Sequence, residues 1–413
     1  MHKMFGIVWF YVLPYTASHS CTALLSAAFV ICFLSTLRMH SASSFETLTA
    51  ALLSAWKTIP APFTQQPLIT TQNLHIETDA QTNGITARIT LPYPARSLEP
   101  ELAHTLRTAL PAHIDASLLT IRFASQVIAR AVQPGLTLIP CVKNIIAIAS
   151  AKGGVGKSTS AVNLALALAL EGAHVGLLDA DIYGPSIPLL LNLNGQQPDV
   201  NNKQLMVPLH NYGIQAMSIG LLVTDDDRAM IWRAPVALRA LNQLLTQTQW
   251  GDPPDNALDY LIVDMPPGTG DIQISMNQRV PLTGAVAVTT PQDIALLDVR
   301  KGINMFQKMH IPVLGVLENM AVHICSQCGH QEHLFGMNGG KKLAQAHGIP
   351  YLGALPLALP IRQQADAGIP IVAAEPDGEI ARIYRNIALQ IAAQIASLPP
   401  DHSHKFPPIR VQS

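Results

Sequence analysis

An apolar run, a glycine-rich loop and a second apolar run follow one another between residues 144 and 170, and they leave the chain few folds to choose from. Asn144-Ile-Ile-Ala-Ile-Ala149 is short, isoleucine-rich and free of charge, which reads as a strand buried on both faces. Ala161 to Leu170 reads as a helix. The segment between them, Ser150-Ala-Lys-Gly-Gly-Val-Gly-Lys-Ser-Thr159, has the composition of a phosphate cradle. Gly153, Gly154 and Gly156 let backbone N–H groups turn toward an anion, and the helix N-terminus adds a partial positive charge. Lys157 is spaced to reach the β/γ-phosphates, and the Ser158 hydroxyl to ligate Mg2+. The expected nucleotide-binding residues are Lys152, Gly153, Gly154, Val155, Gly156, Lys157, Ser158 and Thr159.

Lys152 narrows the class. A lysine five residues ahead of the P-loop lysine is the mark of the deviant Walker A ATPases, which this loop resembles. The resemblance implies that Lys152 crosses a dimer interface and touches the partner's nucleotide, neutralising charge on the transferred phosphoryl group as an arginine finger does. Ala151 stands where the full pattern has its first glycine, which leaves the turn geometry there unexplained.

Strand and helix patterns alternate from Asn144 onward, so the expected fold is α/β: a mostly parallel sheet covered on both faces, preceded by a small α+β domain. Val175 to Asp181 reads as a strand ending in two carboxylates, and Leu258 to Asp264 as another, followed by Met-Pro-Pro-Gly-Thr-Gly-Asp271. Open α/β sheets bind ligands at the carboxyl ends of their strands, so Asp264 is read as the Mg2+-associated Walker B residue. Gly268 to Asp271 is read as a switch that senses the γ-phosphate. Asp181 is the candidate for orienting the attacking water, and Asp179 is placed nearer the Mg2+ shell or as a loop cap. Lys152, Lys157, Asp181 and Asp264 make up the expected catalytic set. Gly284 to Thr290 and Val313 to Glu318 are further core strands. Asn319 ends the latter, where it either reads the adenine edge or forms a turn.

The second informative feature is Cys325-Ser-Gln-Cys328-Gly329. This spacing turns two thiolates toward one metal, but Zn2+ or a 4Fe–4S cluster wants four ligands. Three readings remain open: a zinc knuckle completed by His323, His330 or His333; a dithiol redox pair; or a four-thiolate site shared across a two-fold axis. The five cysteines are otherwise scattered, which argues against a disulfide framework and for a reducing compartment.

The segment in front, residues 44–130, reads as a compact α+β unit. Phe45, Leu48, Leu52 and Trp56 share a helical face with Ser44 as N-cap. Strands are expected at Leu74 to Ile76, Ile85 to Leu91 and Leu118 to Phe123, with Asn83-Gly84 as a hairpin signal and a helix from Pro100 to about Leu110. His75, His104 and His113 stand alone and read as surface or packing residues. Residues 131–143 form a linker, 144–398 the ATPase and 399–413 a tail. Residues 1–38 are an apolar extension whose densest run, Cys21 to Leu34, is a little short for the ~20 residues a membrane span requires. Met39 opens an ordinary polar stretch, so we expect translation to begin there, with a genuine anchor as the alternative.

These motifs together resemble the Mrp/ApbC family of iron–sulfur cluster carrier ATPases. The carrying residues are Val142 to Ser158, Leu178 to Ser186, Trp232-Arg233, Asp264 to Asp271, and Glu318-Asn-Met320 ahead of Cys325 and Cys328. The resemblance implies ATP and Mg2+ at the loop and a homodimer holding a labile 4Fe–4S cluster between paired Cys-x-x-Cys motifs. It also implies slow ATP hydrolysis, transfer to apoprotein clients, contact with the iron–sulfur assembly machinery, and a cytoplasmic location. The front unit resembles the small iron–sulfur assembly domain of that family, but has Ile59-Pro-Ala-Pro62 and Tyr93-Pro-Ala-Arg96 where an Asp-Pro and a Cys-Pro are expected.

The alternative is a positioning ATPase of the MinD/ParA kind, which shares the loop but binds membrane or DNA. A formal net charge of −1 offers no basic surface for nucleic acid. Ile380, Ile383, Ile387, Ile391 and Ile395 do form a helical stripe, yet only Arg382 and Arg385 lie near it, so it is expected to pack on the sheet rather than on a membrane.

Overall fold

The computed structural model describes residues 42–64, 66–78, 84–112, 114–222, 234–252, 256–325 and 327–402. The 1–38 extension, Met39, Asn83, His113, Trp232 and Arg233 lie outside the described residues.

The front unit is built from helix α1 (Ala42–Trp56), strands β1 (Leu74–Thr78) and β2 (Ile85–Leu91), helix α2 (Glu99–Thr108) and strand β3 (Leu119–Ser125). β2 lies in the middle, antiparallel to β1 with Leu74 opposite Ile89, and parallel to β3 with Ile85 opposite Leu119. Its alternation puts Ile85, Ala87, Ile89 and Leu91 on one buried face. Leu52 and Trp56 from α1 and Leu102 and Leu106 from α2 belong to the same core. The Trp56 indole Nε1 donates to the Leu106 carbonyl at 2.9 Å, so the largest side chain of this core leaves no buried donor unpaired. Two local expectations are corrected. Ser44 lies inside α1 and does not cap it. Leu118 belongs to a short 3-10 turn closed by Asp115, which accepts from the Ser117 amide at 2.9 Å, so the third strand starts at Leu119.

The larger sheet carries β4 (Ile145–Ala149), β5 (Val175–Asp179), β6 (Leu209–Asn211), β7 (Ile214–Ser218), β8 (Tyr260–Asp264), β9 (Gly284–Thr289), β10 (Val313–Glu318) and β13 (Tyr351–Ala354). Their spatial order is β13-β10-β9-β4-β8-β5-β7-β6. Every pairing is parallel except β6 with β7 at the edge. All residues of β4, β5, β8 and β9 are buried, which is why these strands read as continuous apolar runs rather than alternations. A pair of two-residue strands, β11 (His323–Ile324) and β12 (Gln331–Glu332), forms a separate hairpin.

Helix α3 (Lys157–Leu170) follows β4 and is buried almost all round, because helix α8 (Glu379–Ala396) packs against it. Ile387, Ile391 and Ile395 of α8 are each 1% exposed, so the isoleucine stripe faces the protein interior as expected. Among the described residues no helix is long and apolar enough to cross a membrane. Further helices are α4 (Ala234–Thr246), α5 (Asp271–Asn277), α6 (Asp293–Lys308) and α7 (Gly339–His347), beside shorter ones at Ile187–Leu190, Leu359–Asp366 and Ile371–Ala374.

One buried carboxylate ties the front unit to the ATPase. Glu171, at the end of α3, accepts from the Ser97 amide at 2.8 Å and pairs with Arg385 Nε of α8 at 2.7 Å. Its carbonyl accepts from Arg96 at 3.3 Å.

Candidate functional site

β4 is flanked by β8 on one side and β9 on the other, so the chain's path diverges at its carboxyl end and opens a crevice there. The glycine-rich loop fills this crevice. Gly154 and Gly156 sit at φ +80° and +81°, in the left-handed region that a side chain resists, and Gly156 leads directly into α3. Gly153 and Gly154 are exposed, and Val155 is buried beneath them. Ala151, unexplained by sequence, has a physical reason here: it packs against the cluster containing Val299, Ile303 and Val316, a contact a glycine would not make.

Three of the expected catalytic residues meet at this loop. Lys157 Nζ lies 2.6 Å from Asp264 Oδ1, 3.7 Å from Asp181 Oδ2 and 3.3 Å from the Ser158 hydroxyl. Burial pushes the Asp264 carboxyl above the usual range while the Lys157 ammonium opposes that shift, and the same two influences act on Asp181. Asp264 Oδ2 is buried with no hydrogen-bond partner. A carboxylate oxygen left unpaired beside a serine hydroxyl fits a hard cation that takes oxygen ligands, so Ser158 and Asp264 suit Mg2+. The Gly268 amide donates to the Ser150 carbonyl at 3.0 Å, which sets the Gly268–Asp271 segment against the loop.

Lys152, the fourth, stands apart. Its side chain is exposed and, among the described residues, takes no ion-pair partner. Asp179 is a loop cap: its carboxylate accepts from the amides of Asp181, Ser186 and Ile187 and from the Ser218 hydroxyl, all at 3.0–3.2 Å. Burial, and then the nearby Asp264 charge, hold its carboxyl above the usual range.

Asn319 makes the turn that was one of its two expected roles. Its Nδ2 donates to the Val155 carbonyl at 2.8 Å and its Oδ1 accepts from the Met320 amide at 2.9 Å, so both ends of the amide serve the loop and its own turn. Sequence reasoning gave no role to Glu318, whose carboxylate accepts from the Gly340 amide at the start of α7. Its partner is 22 residues away, and no local pattern announces it.

The cysteine pair sits at the tip of the β11–β12 hairpin. The Cys325 amide donates to the His330 carbonyl and the Gly329 amide to the Cys325 carbonyl, both at 2.9 Å, with Gly329 turning at φ +72°. Cys328 is exposed and Cys325 half-buried, and both are free thiols. The backbone amides of Cys328 and Gln327 point at the Cys325 sulfur and hold its pKa below that of an ordinary thiol. The nearby histidines are engaged elsewhere: His333 Nδ1 with the Ala321 carbonyl at 2.8 Å, His323 Nδ1 with the Leu357 carbonyl at 3.3 Å, and His330 Nε2 with Glu332 at 3.8 Å. Among the described residues no group of three histidine, cysteine or carboxylate side chains is gathered to hold a metal. The zinc-knuckle reading therefore finds no assembled ligand set.

A parallel sheet with a left-handed glycine loop after its central strand, and a buried lysine–aspartate pair beneath it, defines a P-loop NTPase. The chain belongs to the ParA family, described as the NUBPL iron-transfer P-loop NTPase, whose model matches residues 141–392. It is 57% identical over 262 residues to an iron–sulfur cluster carrier protein of Pseudomonas fragi, an alignment covering 63% of this chain and 88% of the relative. A carrier protein of the same description from Haemophilus influenzae aligns over 336 residues at 45% identity, covering 81% of this chain and 88% of the relative, so that likeness extends into the front unit. Among solved structures, a nucleotide-binding protein from Archaeoglobus fulgidus in complex with ADP superposes with a TM-score of 0.51 at 33% identity, covering 58% of this chain and 91% of that one.

Proposed function

We propose that the chain is an ATP-binding and ATP-hydrolysing carrier that holds a labile 4Fe–4S cluster between two copies of itself and passes it to apoproteins. The observation that carries this reading is the hairpin tip: two free thiols per chain, one with its pKa lowered by backbone amides, and no group of three metal-binding side chains gathered around them among the described residues. Four thiolates then require two chains. Dimerisation also gives the exposed Lys152 a partner, the nucleotide of the facing copy. The relatives described as iron–sulfur cluster carriers support the same cargo.

In this reading ATP phosphates lie along the amides of Gly153 to Thr159, and Lys157 moves from Asp264 to the β/γ-phosphates. Asp264 and Ser158 hold Mg2+, Asp181 orients the attacking water, and Gly268 to Asp271 follow the γ-phosphate. The cluster is received from the iron–sulfur assembly machinery in the cytoplasm, where exposed thiols stay reduced. The positioning-ATPase alternative is disfavoured because Ile387, Ile391 and Ile395 of the α8 stripe are buried and Ile380 and Ile383 are partly buried against the same core. The test is substitution: Cys325→Ala or Cys328→Ala should abolish iron binding after anaerobic reconstitution while ATP affinity stays within about two-fold. Retention of full iron by both variants would contradict the proposal.

A further inference from the structure

Twenty residues of chain, 319–338, leave the sheet at the end of β10, carry the cysteine pair and return to α7. Both ends of this excursion are held at one place. On the return side Gly340 donates to the buried Glu318 carboxylate. On the outgoing side Asn319 donates from its main chain to the Thr289 carbonyl at 2.7 Å and from its side chain to the Val155 carbonyl of the phosphate loop at 2.8 Å. The two legs are also tied across, since His333 Nδ1 contacts the Ala321 carbonyl at 2.8 Å. The base of the cysteine excursion is thus bonded directly to the nucleotide loop.

The contact is tight. A Cβ placed on Gly156 would lie 2.2 Å from Asn319 Nδ2 and 3.9 Å from the Met320 methyl, so the loop backbone is pressed against this joint. Met320 itself sits at φ +55°, a left-handed conformation that a side chain with a Cβ adopts only when its surroundings impose it. Its amide is fixed by Asn319 Oδ1 at 2.9 Å. From there the chain runs through Ala321, whose amide donates to the Leu355 carbonyl at 3.0 Å, to the hairpin and Cys325. A loop that shifts on taking up phosphate must either break the Asn319 bond to Val155 or carry the base of the hairpin with it.

We propose that Asn319 is a positioning residue that couples occupancy of the phosphate loop to the placement of Cys325 and Cys328, with the strained Met320 as the stiff joint that transmits the shift. The coupling gives the carrier reading a means of linking nucleotide to cargo, and it rests on that reading for its purpose.

The test uses the full chain without iron, so that it is separate from whether a cluster binds. Alkylation rates of Cys325 and Cys328 are followed by mass spectrometry with and without saturating Mg-ADP, at concentrations where light scattering gives the same mass in both conditions. Saturation is verified by nucleotide titration of each variant. The wild-type rate should change by roughly five-fold or more on nucleotide binding. Asn319→Ala should reduce that change to less than about two-fold with nucleotide bound. Met320→Gly, which relieves the left-handed backbone and keeps the Asn319 side chain, should do the same without loss of folding. Should Asn319→Ala fail to fold or to bind nucleotide, Met320→Gly decides the matter alone. A wild-type chain whose thiols ignore nucleotide, or either nucleotide-bound variant keeping the full change, would overturn the coupling. Failure of iron to bind would instead count against the carrier reading.

Discussion

Individual side chains do separable work in this molecule. Lys157 pairs with a buried carboxylate, Asp179 caps a loop, and the Cys325 pKa is lowered by the backbone amides of Cys328 and Gln327 rather than by a neighbouring cation. The last point has a direct consequence in solution. With its pKa below the ordinary thiol value, Cys325 should stay largely thiolate as pH falls past the point where a model thiol protonates, and so remain reactive there. The pH profile of Cys325 alkylation, followed by peptide mass spectrometry, should therefore be displaced to lower pH than that of N-acetylcysteine amide. A profile coincident with the free thiol would mean that the amide cradle does not act. Lys152 is exposed and, among the described residues, without an ion-pair partner, and the proposed function gives it a role at the nucleotide of a facing copy. Lys152→Ala should keep nucleotide affinity yet slow single-turnover ATP hydrolysis by at least about ten-fold, since a charge supplied in trans acts on the transition state. Unchanged hydrolysis would remove the reason for assigning it to the partner's site.

Elements that repeat a local pattern were legible, and those fixed by distant contacts were not. The buried strands β4, β5 and β8 announce themselves as apolar runs, the last two ending in aspartate, and β2 by its alternation. The helix periods of α1 and α8 were equally plain, and so was the glycine loop between β4 and α3. Asn319 was not, because its partner Val155 lies 164 positions earlier. Nor was the use of Ala151, which depends on α6 packing over the loop, or the start of α1 ahead of Ser44, a residue type that more often caps a helix than continues it. The docking of the front unit belongs to this second kind as well. Glu171 holds Arg385 and the Ser97 amide while itself fully covered. Glu171→Ala would leave the largely buried Arg385 guanidinium with only the exposed Asp377 at 3.8 Å and should cost about 3 kcal/mol. Thermal unfolding should fall by several degrees, with earlier proteolytic release of residues 42–125; a change within about 0.5 kcal/mol would show that the contact is peripheral.

At the scale of the whole molecule, the glycine loop follows β4 and the cysteine hairpin follows β10 of one sheet, and the proposed function has a second copy complete both. The loop lacks a contact for Lys152, and the hairpin offers two thiols where a cluster needs four. Among the described residues no group of three histidine, cysteine or carboxylate side chains is gathered around Cys325 and Cys328. The account therefore stands on stoichiometry. Anaerobic reconstitution with iron and sulfide, followed by metal analysis and mass determination of the same sample, should give about four irons per two chains with a broad visible absorption band. Tightly bound zinc in a monomer, or iron bound to a single chain, would contradict it.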